Sequence, residues 1–162
     1  MPSRAASSTT APRPVPSTTT AAALPPVPVA AAAGTCPYLS GDDVAQINGE
    51  KNLGVKIAPA AAAVDPPACF FYTYRDQQQM STWVLRASSP AQATAVVNRA
   101  APVKTTDPAD QPAGWSGGSK GGPGGAVYAV AKGPVAVVVT SNQGQSVKAR
   151  RAAEEVIGTL GL

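Results

Sequence analysis

The sequence predicts an α+β domain, with a mainly antiparallel sheet of about five strands and three helices packed on it. Apolar runs of five to eight residues are joined mostly by short turns, which is typical of antiparallel neighbours. Three further stretches show the apolar stripe of an amphipathic helix. They stand before, between and after the strands, so the predicted order is α-β-β-β-α-β-β-α.

The predicted helices have recognisable start and stop signals. Ser40 can cap the first helix, and Gly49 can end it. Ser89 precedes the second helix, where Pro90 occupies the favoured first position. The third helix is predicted over about 145–160, because small and branched apolar residues recur there at helical spacing.

Five strands follow from runs of β-branched and aromatic residues. The predicted strands are 53–57, 68–74, 80–87, 126–131 and 135–140. The last one holds three consecutive valines, which indicates a central strand covered on both faces or nearly so. Residues 103–125, with seven glycines between Gly114 and Gly125, are expected to form a polar loop.

The first 34 residues differ in composition from the remainder of the chain. They contain seven prolines, ten alanines and nine serines or threonines, without an aromatic residue or an apolar period. We expect residues 1–34 to be a disordered linker and residues 35–162 to be one globular domain. Ser and Thr with Pro are also typical of O-glycosylated stalks. Prolines interrupt the only candidate signal sequence, and no apolar run is long enough for a transmembrane helix. We therefore expect a membrane segment upstream, in a longer native protein, or a misassigned start.

Composition excludes several classes of function. The chain has no histidine, which removes Ser-His-Asp and Cys-His nucleophilic sites and His-ligated zinc. Its two cysteines cannot form an all-cysteine metal site. The net charge is +4, without the clustered basic footprint that nucleic-acid binding requires. We expect no nucleic-acid partner, no cofactor, no metal and no catalytic residue.

The two cysteines suggest a structural cross-link. Cys36 stands before the first helix, and Cys69 lies in an aromatic-rich strand. A disulfide between them would join the start of the domain to its sheet and would indicate an oxidising compartment. The alternative is a pair of unrelated buried thiols.

The glycine-rich stretch permits two interpretations. It fails as a P-loop because Lys120 is followed by Gly121 and then by a strand rather than a helix. One interpretation is a mobile connector that Trp115 pins to the core. The other is a flexible binding loop, with Trp115 as apolar anchor and Lys120 as charge.

Aromatic residues on the central strands are further candidates for ligand or partner contact. Tyr72, Tyr74 and Trp83 could line an apolar pocket. Core packing and cross-strand packing are the alternative explanation.

Five segments occur together in a family-specific order: CPYL (36–39), DPPACF (65–70), GWSGG (114–118), GAVYAVAKGP (125–134) and NQGQSVKA (142–149). With them the chain resembles an actinobacterial domain-of-unknown-function family, numbered twenty-twenty. Its mycobacterial and corynebacterial members look like membrane-anchored proteins with a Pro-rich linker and this domain outside the membrane. The resemblance implies extracytoplasmic placement and supports the disulfide, but it carries no catalytic residues. The element order is also similar to PsbP-like lipoprotein domains, which mostly act as binding or accessory modules.

These observations predict a non-catalytic, extracytoplasmic binding or accessory domain of the actinobacterial cell envelope. Its expected partner is an envelope protein, lipid or glycan, contacted through the glycine-rich stretch and the aromatic strands. Membrane anchoring would come only from a segment outside this chain. The alternatives are a small envelope hydrolase or transferase using carboxylates, and a structural ectodomain of a membrane sensor or scaffold.

Overall fold

The computed structural model describes residues 12–15, 23–60 and 65–162. Its strands are β1 (Ala32–Ala33), β2 (Gly54–Ala58), β3 (Ala68–Tyr72), β4 (Gln78–Arg86), β5 (Asp107–Ala109), β6 (Ser116–Lys120), β7 (Ala126–Lys132) and β8 (Val135–Ser141). Its helices are α1 (Gly41–Asn48), α2 (Pro90–Ala100) and α3 (Ser146–Leu160). In these described residues the strands form one antiparallel sheet, ordered β1-β2-β3-β4-β8-β7-β6-β5.

The α+β class, the antiparallel pairing and the three helices agree with the sequence, but the prediction of about five strands is wrong. The sheet has eight strands, because β1, β5 and β6 extend both of its edges. The predicted order of elements is therefore also wrong, and the likeness to PsbP-like domains that depended on this order is withdrawn. The stretch predicted as one polar loop, 103–125, contains β5 and β6.

Strand β6 was missed because its sequence, Ser-Gly-Gly-Ser-Lys, has low β-propensity. Close packing explains why this strand contains glycine. A methyl group on Gly117 would overlap the carbonyl oxygen of Ala129 and lie 2.8 Å from Val97 Cγ1 of α2. A methyl group on Gly118 would lie 2.9 Å from the carbonyl oxygen of Ala101. Glycine therefore lets β6 approach both its neighbouring strand and the helix above it.

The helix boundaries follow the predicted local signals. The Ser40 hydroxyl accepts a hydrogen bond from the Asp43 amide at 3.0 Å, and Gly49 ends α1 with φ of 82°. The Ser89 hydroxyl likewise accepts from the Gln92 amide at 3.1 Å. These capping interactions depend on neighbours in sequence, which is why the sequence could predict them.

The core lies mainly on the sheet face that carries α1 and α3. There, buried side chains from the sheet such as Phe71, Met80 and Val139 pack with Val156 of α3. Helix α2 packs on β6, β7 and β8 from the opposite face. As predicted, β8 is central, with neighbours on both sides and helices above and below it.

We call the remainder of the α2-bearing face, over β2, β3 and β4, the open face. The strand register places half-buried Lys56, Tyr72, Ser81 and Trp83 on this side of the sheet. Ser81 pairs across β4 and β8 with Thr140, so the open face continues to the end of β8.

A disulfide joins Cys36, just before α1, to Cys69 in β3, with 5.7 Å between the Cα atoms. The predicted pairing is confirmed, and both residues are buried in the main core. A disulfide of this kind indicates an oxidising, extracytoplasmic compartment.

The segment that leads into the domain also pairs with the sheet. The amide of Ala31 donates to the carbonyl of Ile57, and that of Gly34 donates to Val55, both at 3.1 Å. Residues 31–34 of the predicted linker therefore lie on the sheet edge, whereas residues 1–11 and 16–22 lie outside the described ranges. Within the described part of the chain, no helix has the length and apolarity to cross a membrane.

Candidate functional site

A cavity of about 690 Å³ opens where β4 begins and β8 ends. We call it the glycine-turn cavity, because the turn 121–125 between β6 and β7 forms one wall. Opposite walls come from Gln78 of β4, and from Thr140 and Asn142 at the end of β8. Lys120, the last residue of β6, stands exposed at its rim. This volume falls within the range of about 300–1,000 Å³ that is typical of small-molecule sites.

The glycine turn is fixed by backbone contacts. The Gly125 amide donates to the carbonyl of Gly122 at 3.1 Å, which closes the turn. A methyl group on Gly121 would overlap the carbonyl oxygen of Gly144, in the loop before α3. A methyl group on Gly125, which has a φ of 113°, would likewise overlap the carbonyl oxygen of Ser141. The turn therefore seats directly on the segment that follows β8, and only glycine permits this approach.

A buried polar network holds the opposite wall. The Asn48 side-chain amide, at the end of α1, donates to Asn142 Oδ1 at 2.9 Å and to Gln79 Oε1 at 3.2 Å. Ser141 Oγ donates to Asn48 Oδ1 at 2.7 Å. The Lys148 ammonium of α3 donates to the Asn48 carbonyl at 2.8 Å. Helices α1 and α3 thus fix the wall residues and, with them, the shape of the cavity.

The cavity offers hydrogen-bonding groups with little charge. Gln78 and Asn142 supply amides, Thr140 supplies a hydroxyl, and Lys120 supplies the only charged side chain among the described residues of the lining. Ser81 Oγ and Thr140 Oγ1 are 2.5 Å apart, so the hydroxyl row extends onto the open face. Within the described ranges, no three His, Cys, Asp or Glu side chains are grouped so that they could hold a metal ion.

The five predicted contact residues do not lie together in the structure. Lys120 borders the cavity, and Tyr72 lies on the neighbouring strand, paired with Gln78, with the Lys56 ammonium 4.6 Å from its ring. Trp83 is half-buried further along the open face.

The other two predicted contact residues lie away from the cavity. Tyr74 is 65% exposed on a short 3-10 turn after β3. Trp115 is only 3% exposed and belongs to the main core. Both interpretations took the stretch 114–125 to be mobile, whereas Ser116–Lys120 is strand β6 and residues 121–125 form a tight turn.

Sequence reasoning missed the amide and hydroxyl residues of the cavity and of the network behind it. Gln79 lies between the predicted strands 68–74 and 80–87, but the structure buries it fully at a bulge of β4. The sequence feature that could have indicated these residues is the recurrence of amide side chains at 77–79 and 142–143, beside strands that are otherwise apolar. Their convergence depends on the pairing of β4 with β8, which sequence spacing does not reveal.

Comparison with known families gives a match that spans the whole folded domain. The family model described as "Domain of unknown function (DUF2020)" matches residues 19–162. The chain belongs to this family. The match to DUF2020 begins upstream of β1, so it includes the segment that reaches the sheet edge. Among curated proteins, no match to this DUF2020 chain was found.

Proposed function

We propose that this domain is a non-catalytic, extracytoplasmic binding or accessory domain of the actinobacterial cell envelope, and that it binds an envelope glycan in the glycine-turn cavity. The supporting observation is the chemistry of the cavity walls. Amides, a hydroxyl and main-chain groups surround a preorganised space of about 690 Å³, with one ammonium at the rim. A sugar presents many hydroxyl groups, each able to donate and accept, and therefore matches such a surface.

The other expected partner classes match this cavity less well. A lipid chain would remove water from the exposed Gln78 amide and from the main-chain groups of the turn, and it would offer them no hydrogen bonds in return. A stable protein interface buries about 800 Å² on each side and usually centres on aromatic or Arg anchors. The walls of the cavity instead place small apolar surfaces, from the glycines and Pro123, beside uncharged polar groups, and a sugar presents both hydroxyl groups and an apolar ring face.

The proposed placement combines the disulfide with the family resemblance. The bond between Cys36 and Cys69 favours folding outside the cytosol. The Pro/Ala/Thr-rich composition upstream of residue 23 suits a spacer. In this proposal, the spacer displays the domain from a membrane segment that lies upstream of this chain.

Binding is testable with soluble disaccharide-peptide fragments of peptidoglycan and with a neutral polysaccharide digest, by isothermal titration calorimetry. Gln78→Ala and Lys120→Ala should each raise the Kd by about three- to tenfold, which corresponds to one lost hydrogen bond. Gln77→Ala and Lys104→Ala are matched controls, since both residues are exposed and neither lines the cavity. If the probes bind and the cavity variants behave like the controls, the site is wrongly placed.

A second experiment tests where the domain acts. A photocrosslinking residue in place of Gln78, at the cavity, is activated in whole cells. We expect adducts with envelope glycan or with proteins that carry it. Capture of cytosolic components alone would contradict the proposed placement, and absence of binding to every glycan probe would contradict the ligand class.

A further inference from the structure

Residues 23–31 run from α2 to the edge of the sheet and are held at both ends. At one end, Gln92 Nε2 donates to the Ala23 carbonyl at 3.1 Å, and Arg99 Nη1 donates to the Pro25 carbonyl at 2.8 Å. At the other end, the Ala31 amide donates to the Ile57 carbonyl. We call this segment the strap. Between these anchors it has neither helical nor strand structure.

The strap has two half-buried prolines spaced three residues apart. Pro25 and Pro28 are half-buried, whereas Val27 is 61% exposed and Val29 is 77% exposed; Ala30, beside the strand pairing at Ala31, is also half-buried. Three residues per turn is the period of a polyproline II helix, in which every third side chain faces the same way. The chain has 17 prolines, and Pro25 with Pro28 is the only pair spaced three apart.

The strap covers a groove on the open face, at the opposite end from the glycine-turn cavity. Trp83 and Leu85 of β4 line the groove, and about 620 Å³ of space remains between them and the strap. The Arg99 guanidinium is 5.9 Å from the Trp83 ring and reaches the strap carbonyl as well. An aromatic floor with side-chain donors to carbonyls is the arrangement by which proteins bind proline-rich segments.

We propose that this groove is a recognition site for extended segments with two prolines three residues apart, that the strap is its resident occupant, and that a proline-rich segment of a partner protein replaces the strap. We propose a proline-rich ligand because the segment that covers the groove in this structure is itself proline-rich. The strap is suited to exchange, because two side-chain hydrogen bonds hold its first half and its valines remain exposed. This site is separate from the glycan cavity and does not depend on it.

The test uses the full chain and a fluorescent peptide with the strap sequence, ALPPVPVAA (residues 23–31), followed by fluorescence anisotropy. Wild type is compared with the variant Pro25→Ala/Pro28→Ala, whose strap should leave the groove. If the strap occupies the groove nine-tenths of the time, this variant should bind the peptide about tenfold more tightly than wild type does. Adding Trp83→Ala or Arg99→Ala to the variant should weaken binding by at least about tenfold. Arg99 is exposed, so its replacement leaves the core intact.

Two controls define the result that overturns the proposal. A peptide with both spaced prolines changed to alanine should bind at least about tenfold more weakly. The proposal is wrong if the strap variant binds no more tightly than wild type, if the altered peptide binds equally well, or if both Trp83→Ala and Arg99→Ala leave affinity unchanged. Lys120→Ala should not alter peptide binding, so the outcome is independent of the glycan proposal.

Discussion

Reduction of the disulfide should cost a large part of the stability of this domain. The bond joins residues 33 apart, and the loop-entropy relation gives about 4 kcal/mol for a closure of this length. A typical domain has only about 5–15 kcal/mol of unfolding free energy in total. For a domain of this size, the loss corresponds to a fall in Tm of roughly 8–16 °C. Loss of the bond should leave the same fold with a much larger unfolded fraction.

Three proteins isolate the effect of the bond in urea unfolding followed by circular dichroism. They are the oxidised wild type, the reduced wild type and the variant Cys36→Ala/Cys69→Ala. The oxidised and reduced forms contain the same side chains, so their difference measures the cross-link alone. The double variant should be slightly less stable than the reduced protein, because both sulfur atoms are buried in the core. A difference below about 1 kcal/mol between the two wild-type forms would refute the entropic argument. It would also leave the disulfide without a role in folding.

Two further predictions concern packing and pH. Gly118→Val should lower the free energy of unfolding by about 1–3 kcal/mol, because the added side chain meets the Ala101 carbonyl. Gly122→Ala should leave the stability nearly unchanged, because no atom lies within 4 Å of an added methyl group. Urea unfolding measures both changes. Burial raises the pKa of Tyr38 to about 12, from the value of 10.0 for a solvated tyrosine. The stabilisation from this shift is present below pH 10 and is lost as the pH rises towards 12, up to roughly 3 kcal/mol. Tyr38→Phe should flatten this part of the pH profile, and an unchanged slope in the variant would assign it to other groups.

The parts of the fold that the sequence predicted are those determined by near neighbours. Helix α1 begins at Ser40 and ends at Gly49 because both caps act within a few residues. The hairpin of β7 and β8 follows from a short turn at Gly133 between two apolar runs. Neither prediction required knowledge of the tertiary structure.

The missed strands depend on distant neighbours. β5 and β6 contain proline and glycine where a strand is not expected, and their side chains could not indicate pairing. β6 becomes a strand because β7 supplies a partner and because α2 comes close above it. Composition indicates flexibility for such a segment, whereas the packing gives it one conformation.

The candidate site was only partly predictable for a related reason. Lys120 was identified as a charge beside glycine, and it does border the cavity. Gln79 and Asn142 are more than 60 residues apart in sequence, and Asn48 joins them through its side-chain amide. No spacing rule links these three positions, because the sheet brings the start of β4 beside the end of β8 only after folding.

The seven glycines between 114 and 125 have separable physical causes. Gly114 adopts a φ of 89°, which side chains rarely allow, and Gly125 combines a positive φ with a carbonyl oxygen that an added methyl group would overlap. Three more permit close backbone or helix contacts: Gly117, Gly118 and Gly121. Gly122 and Gly124 have neither a positive φ nor an atom within 4 Å of an added methyl group. Folding therefore does not require glycine at these two positions, yet both line the cavity. In the proposed glycan complex, the absence of side chains at these positions would let the sugar approach the main chain of the turn.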